Sequence, residues 1–218
     1  MPQIPLNLTI AEEKKADNFI LSDCNSQAYK FITDFPDGWV SNSLLLVGEE
    51  FSGKTHLALI WKDRAEAEFL NGKQLAEVLN SEIKTHLVID DIDELTQADE
   101  ENLFHIFNRC KDAGRYLLMT SKKPVYELGF TLPDLKSRIS SSLISSIEQP
   151  SEEFLHVMFH KHFLDMQVQV PDRVISYITS RIQRSFKSVY EIAEILNKKS
   201  VETKRPISIP FVKEVLQI

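Results

Sequence analysis

The eight residues Gly48-Glu49-Glu50-Phe51-Ser52-Gly53-Lys54-Thr55 follow the pattern G-x-x-x-x-G-K-[ST]. Glycines at the two fixed positions let the backbone turn its N–H groups inward around a phosphate. Lys54 brings a cation to the outer phosphates, and the Thr55 hydroxyl can ligate Mg²⁺. His56 follows directly, so Gly48 through His56 is the candidate run for holding ADP or ATP. Downstream, Leu87-Val88-Ile89-Asp90-Asp91 is an apolar run ending in paired carboxylates. There Asp90 would hold the Mg²⁺ shell and Asp91 would orient or deprotonate an attacking water. Another reading makes Asp90, Asp91 and Asp93 caps of the next helix; the upstream phosphate loop argues against it for Asp90 and leaves it open for Asp93. A third apolar run ends at Thr120-Ser121, where a hydroxyl would touch the γ-phosphate or the water, with Thr120 as the candidate. Finally, Leu132-Pro133-Asp134-Leu135-Lys136-Ser137-Arg138 carries a basic residue on a short turn and helix. Arg138 is either an arginine finger for a nucleotide on a neighbouring molecule or a surface ion-pair partner.

These residues need a scaffold that puts several strand ends side by side. The apolar run at 44–47 is too short for a helix and reads as a strand buried on both faces of a parallel sheet, and further short apolar runs follow at 67–70, 86–89, 116–119 and 143–147. Helical segments lie between most of them, notably 99–111, and a further helix precedes them from Asp23 to about Phe35 with Asn25 as its N-cap. Strands alternating with helices imply an α/β fold, a parallel sheet sandwiched by helices. Beyond Pro150 the strand pattern stops. Segments 151–165, 172–182, 186–203 and 210–217 space their apolar residues three to four apart, with Pro171, Pro206 and Pro210 at the joints, which predicts a small all-helical domain. The expected organisation is an extended tail over 1–10, an α/β nucleotide-binding domain over 11–150 and a helical domain over 151–218.

Composition narrows the function classes. A chain of 218 residues with 43% hydrophobic content can bury a real core, and its net charge of −7 argues against strong direct binding to duplex DNA. The two cysteines, Cys24 and Cys110, form no C-x-x-C pair and read as core residues in a reducing compartment. No apolar run is long enough to span a bilayer and the N-terminus lacks a signal-peptide pattern, so a cytoplasmic protein without a membrane role is expected. Trp39 and Trp61 read as packing residues near the sheet. His156, His160 and His162 crowd one helix, but the sequence offers no acidic third ligand in an H-E-x-x-H setting and surface histidines are expected. The acidic stretch from Asp90 to Glu101 reads as metal site and solvated helix start.

Taken together, Asp17-Asn18-Phe19-Ile20, the phosphate loop, LVIDDID, LLMTSKKP and LPDLKSR resemble the DnaA branch of the P-loop AAA+ proteins. Within that branch the N-terminal QIPLNL and the C-terminal IPFVKEVLQI are similar to the Hda family, regulators of the replication initiator DnaA. The resemblance spans essentially the whole chain. It implies that Phe19 sits beside the adenine, that the helical domain is a lid, and that Lys187 in RSFKSVYEI stands where the family carries its sensor 2 arginine. It also implies a tail that docks on the DNA polymerase III sliding clamp through Gln3, Leu6 and Leu8, with DnaA as second partner and a homo-oligomer as a further possibility. Three positions depart from the pattern: Asp91 where AAA+ proteins usually carry Glu, Lys187 for Arg, and Ser121-Lys122-Lys123-Pro124 where relatives have Asp and Arg before the proline. The implied function is clamp-tethered stimulation of hydrolysis of DnaA-bound ATP through Arg138, with weak intrinsic activity; the alternative is a self-sufficient ATPase such as a helicase loader or initiator-like motor.

Overall fold

A computed structural model describes residues 18–218; Gln3, Leu6 and Leu8, with the rest of the tail, lie outside the described residues. Five strands, β1 (Ser43–Val47), β2 (Glu68–Leu70), β3 (Leu87–Ile89), β4 (Leu117–Ser121) and β5 (Leu143–Ser146), form one sheet in the order β2-β3-β4-β1-β5. Every pairing is parallel. The chain leaves β1, crosses to the far edge at β2, works back inward through β3 and β4, and then crosses β1 to its other side at β5. This reversal opens a crevice beyond the carboxyl ends of β1, β3 and β4, where α/β sheets bind ligands.

Strand side chains alternate between two cores. Leu45, Val47, Leu87, Ile89, Leu117 and Met119 point to one face, and Leu44, Leu46, Val88 and Leu118 to the other. On the first face pack α3 (Leu75–Val78), α4 (Gln97–Asp112) and α5 (Pro133–Ser140). The second face is covered by α1 (Ser26–Thr33) and α2 (Lys54–Ala65). Both faces being covered explains why the inner strands β1, β3 and β4 read as apolar runs, each fully buried Leu or Ile contributing about 1.5–3 kcal/mol, whereas the edge strands β2 and β5 expose Glu68, Ile144 and Ser146. Trp39 and Trp61 stack in the second core with centroids 5.2 Å apart, as packing residues. Both cysteines are free; Cys110 is buried and its thiol is pushed up to about 12.

After β5 the chain forms α6 (Glu152–Asp165), α7 (Asp172–Thr179), α8 (Phe186–Thr203) and α9 (Ile209–Leu216), each within two or three residues of its expected bounds. These helices enclose a third core, with Phe159, Phe163, Ile175, Ala193, Leu196 and Phe211 at its centre. Serines cap three of them: Ser151, Ser185 and Ser208 accept from the N–H groups of Phe154, Ser188 and Phe211.

Two local expectations are corrected. Asn25 precedes α1 but its side chain does not cap it; Oδ1 accepts from Ser22 N–H and Nδ2 donates to the Ile20 carbonyl, both at 2.9 Å. The buried amide thus ties down the loop that carries Phe19. The acidic stretch is not all solvated: Glu100 is buried, and its Oε2 accepts from the backbone N–H groups of Thr131 and Leu132 at 2.7 and 2.9 Å. It anchors the approach to α5 from the facing helix. Asp99 forms a capping box with Thr96 at the start of α4.

Candidate nucleotide site

A cleft of about 630 Å³ lies between the sheet's carboxyl edge and α6 and α8. Its floor is the loop from Glu50 to His56, its near wall Asn18, Phe19 and Ile20, and its far wall Phe154, Met158, Lys161, Phe186 and Tyr190. Asp91 and Lys122 close one end.

The loop owes its shape to its glycines. Gly53 has φ +94°, and a Cβ there would stand 3.2 Å from the Phe19 ring. A Cβ on Gly48 would lie 2.7 Å from Ser52 Oγ and 3.1 Å from Ile147 Cβ. Only glycine allows both the left-handed turn and the tight approach. The turn leads into α2, whose N-terminal residues Lys54 and Thr55 line the cleft, and a helix N-terminus is a ready anion site. Lys54 is buried, and its ammonium donates to the Gly48 and Glu49 carbonyls at 2.9 and 3.0 Å. Burial lowers its pKa, while Asp91 and Asp90 oppose the shift.

Strand register assembles the acidic corner. Ile89 pairs with Met119, which sets Asp90 next to Thr120. Thr55 Oγ1 donates to Asp90 Oδ2 at 2.9 Å, so the hydroxyl and carboxylate expected to share Mg²⁺ already converge. Thr120 Oγ1 donates to Asp90 Oδ1 and accepts from Asp91 N–H at 2.8 Å. Its proton is committed to the carboxylate, so in this structure Thr120 positions Asp90 and Asp91 and does not face the cleft. Ser121, also buried, closes a turn by donating to the Lys123 carbonyl and accepting from the Lys123 N–H. Asp91 adopts φ +49°, which turns its carboxylate into the cleft, where burial and then the charge of Asp90 push its pKa up. Asp93 caps no helix through its side chain; its Oδ1 accepts from Lys122 N–H at 2.9 Å.

Phe19 lines the cleft, stacked on Tyr29 at 5.6 Å and edge-on to His56 at 5.4 Å. Lys187 differs from expectation: it does not line the cleft. Half-exposed, its ammonium pairs with Glu50 at 3.2 Å and Glu191 at 3.7 Å, because these carboxylates flank it on the loop and one turn along α8. Gly48 and Glu49 stand behind the cleft and not on its surface. Arg138 sits on the exposed side of α5, away from the cleft, with no side-chain hydrogen bond or ion pair among the described residues.

Several cleft residues escaped the sequence reading. Lys122 is one; its ammonium is held by Glu94, whose hydrogen bond raises its pKa. Its signal was visible as the departure in Ser121-Lys122-Lys123-Pro124. Others, among them Lys161, Met158 and Tyr190, come from the helical bundle and carried none, because their place depends on how the bundle meets the sheet.

Residues 156–216 match the family model of the Hda lid domain. An uncharacterized protein of Haemophilus influenzae is 26% identical over 187 residues, covering 78% of this chain and 80% of that protein. Among solved structures, domain III of the Thermotoga maritima replication initiation protein DnaA superposes with a TM-score of 0.79 at 20% identity, over 94% of this chain and 96% of that chain. AMPPCP-bound DnaA from Aquifex aeolicus gives 0.71 at 18% identity, over 88% and 67%. The Thermotoga maritima RuvB Holliday junction branch migration motor gives 0.71 at 20% identity, over 94% and 71%. The likenesses show the AAA+ fold: a parallel five-stranded sheet between helices, with a helical bundle at its C-terminal side.

Proposed function

Taking the chain as an Hda-like protein with the AAA+ fold, we propose that it binds an adenine nucleotide with Mg²⁺ and acts in trans, promoting hydrolysis of ATP held by DnaA. The DnaA of Aquifex aeolicus binds AMPPCP, and the residues of the cleft fit such a ligand. Gly53, Lys54 and the start of α2 would cradle the phosphates, Phe19 would flank the base, and Thr55 with Asp90 would hold Mg²⁺. When bound, the ion would neutralise charge on the phosphates. Asp91 would orient water through a side chain one methylene shorter than Glu, which supports slow intrinsic hydrolysis.

The observation that carries the trans reading is the exposed guanidinium of Arg138, which has no side-chain partner among the described residues, on a helix whose approach is fixed by buried Glu100. By contrast the cation expected to act within the chain, Lys187, is engaged by Glu50. An always-charged planar fork stabilises charge on a transferring phosphoryl, yet contributes only when another molecule's site receives it. The tail through Gln3, Leu6 and Leu8 would tether the protein to the sliding clamp and so raise its local concentration near DnaA on DNA.

Single-turnover hydrolysis of ATP on DnaA, with clamp loaded on DNA, tests the reading. Arg138→Ala should leave nucleotide affinity intact and remove most of the stimulation, with Arg138→Lys rescuing poorly. Full stimulation by the alanine variant would sink the finger role. The intact Thr55, Asp90 and Asp91 set favours the second reading, a self-sufficient ATPase such as a helicase loader. Steady turnover of ATP by the purified protein alone would move the assignment there.

A further inference from the structure

His156 and His160 lie one turn apart on α6 and present their imidazoles on one side, ring centroids 4.9 Å apart. The acidic ligand missing from their neighbourhood in sequence arrives from the next helix. Asp172, the first residue of α7, places Oδ1 3.0 Å from His160 Nε2 and 3.3 Å from His156 Nε2. A nitrogen of each ring and a carboxylate oxygen all fall within 4.8 Å of one another. Ser176, one turn along α7, sets its Oγ 3.2 Å from His156 Nε2.

From these contacts we propose that His156, His160 and Asp172 form a surface site for a divalent d-block cation, Zn²⁺ being the best fit, which staples α6 to α7. Two imidazole nitrogens and one carboxylate oxygen are a borderline donor set, suited to Zn²⁺ and its neighbours and not to Mg²⁺ or Ca²⁺. With metal–ligand bonds of about 2.0–2.2 Å, neighbouring ligands of a tetrahedral Zn²⁺ lie about 3.3–3.5 Å apart. The two histidine–aspartate separations, 3.0 and 3.3 Å, lie just under and at the lower end of that range, so side-chain rotation has only to open the carboxylate contact to admit the ion. Without it, two half-buried imidazoles share one oxygen of an exposed carboxylate, an arrangement worth little on its own. The side chains are 26%, 40% and 73% exposed, so an ion can enter from solvent, and three protein ligands leave a coordination position open. The site is separate from the nucleotide cleft, which α6 lines with its other edge through Met158 and Lys161.

The test is calorimetric titration of the full-length, untagged, metal-stripped protein with ZnCl₂ in the absence of nucleotide, with MgCl₂ as comparison. The expected result is one Zn²⁺ per chain at micromolar or tighter affinity and a higher melting temperature with Zn²⁺. His160→Gln and Asp172→Asn should each weaken Zn²⁺ by about 100-fold, since losing even an outer-shell partner costs about 10–100-fold. Both positions are on the surface, so equal melting temperatures in chelator confirm that the variants fold. Binding only at millimolar Zn²⁺, or equal affinity in wild type and both variants, would overturn the site; a thiolate charge-transfer band with Co²⁺ would assign the metal to a cysteine instead.

Discussion

Glu49 Oε1 accepts the backbone N–H of Phe186 at 2.7 Å, so the phosphate loop itself caps helix α8 of the bundle. The next two loop residues extend the junction: Glu50 pairs with Lys187 at 3.2 Å, and Phe51, at φ +65°, stacks on Tyr190 with centroids 4.3 Å apart. Three consecutive positions that the phosphate-loop pattern leaves unspecified thus dock on one helix. A carboxylate at a helix N-terminus satisfies an orphan donor and complements the dipole. Glu49→Ala should destabilise the protein by about 1–2 kcal/mol, with Glu49→Gln recovering part of it. Urea unfolding followed by circular dichroism measures this; an unchanged midpoint for the alanine variant would show that the contact is not used in solution.

Lys54→Ala removes the buried cation that spans the Gly48 and Glu49 carbonyls. Affinity for ADP and ATP should fall by about two orders of magnitude or more, as expected for losing charge-assisted bonds to phosphate. Isothermal titration with each nucleotide decides it. Unchanged affinity for both would remove the nucleotide from this cleft.

Deletion of residues 1–8, or Gln3→Ala alone, should abolish binding to the sliding clamp while the melting temperature stays near that of the full chain. Surface plasmon resonance on immobilised clamp, paired with thermal melts, separates a tether from a segment that packs on its own domain. A truncated protein that binds clamp as tightly as the full chain refutes the tether.

His86 gives the fold an acid-sensitive point. Its ring is wedged among Phe35, Trp61 and Tyr116, and Nδ1 accepts from Tyr116 N–H at 3.0 Å. Burial, then the nearby Arg115 charge, holds its pKa below the ordinary 6.5. As pH falls the unfolded chain therefore takes up the proton first. The stability due to neutral His86 is complete above 6.5 and is lost as pH drops from there through the folded-state value. Melting temperatures from about pH 7.5 down to about pH 5 should fall less steeply for His86→Asn, whose Oδ1 keeps an acceptor but does not titrate. Parallel curves for the two proteins would contradict this.

Much of the scaffold was legible because it rests on local rules. Runs such as Leu44-Leu45-Leu46-Val47 must be strands buried on both faces, and the glycine spacing around Lys54 permits one kind of loop. The bundle was legible for the same reason, since three-to-four spacing of apolar residues is set by helix geometry. Where side chains had competing partners, local rules failed. Asn25 occupies an N-cap position but spends its amide on Ser22 and Ile20, and Glu100, an ordinary surface charge in sequence, is buried by its bonds to Thr131 and Leu132.

By itself, then, the sequence determined the order and type of the elements and the loop that can hold a phosphate, because hydrophobic period and glycine conformation act over a few neighbouring residues. Tertiary structure alone decided which polar groups meet. Thr120 gives its proton to Asp90, Lys187 turns to Glu50, and Asp172 joins His156 and His160 across two helices. Each of these outcomes depends on strand register or helix packing, which bring together residues 12 to 137 positions apart and leave no periodic trace in the chain.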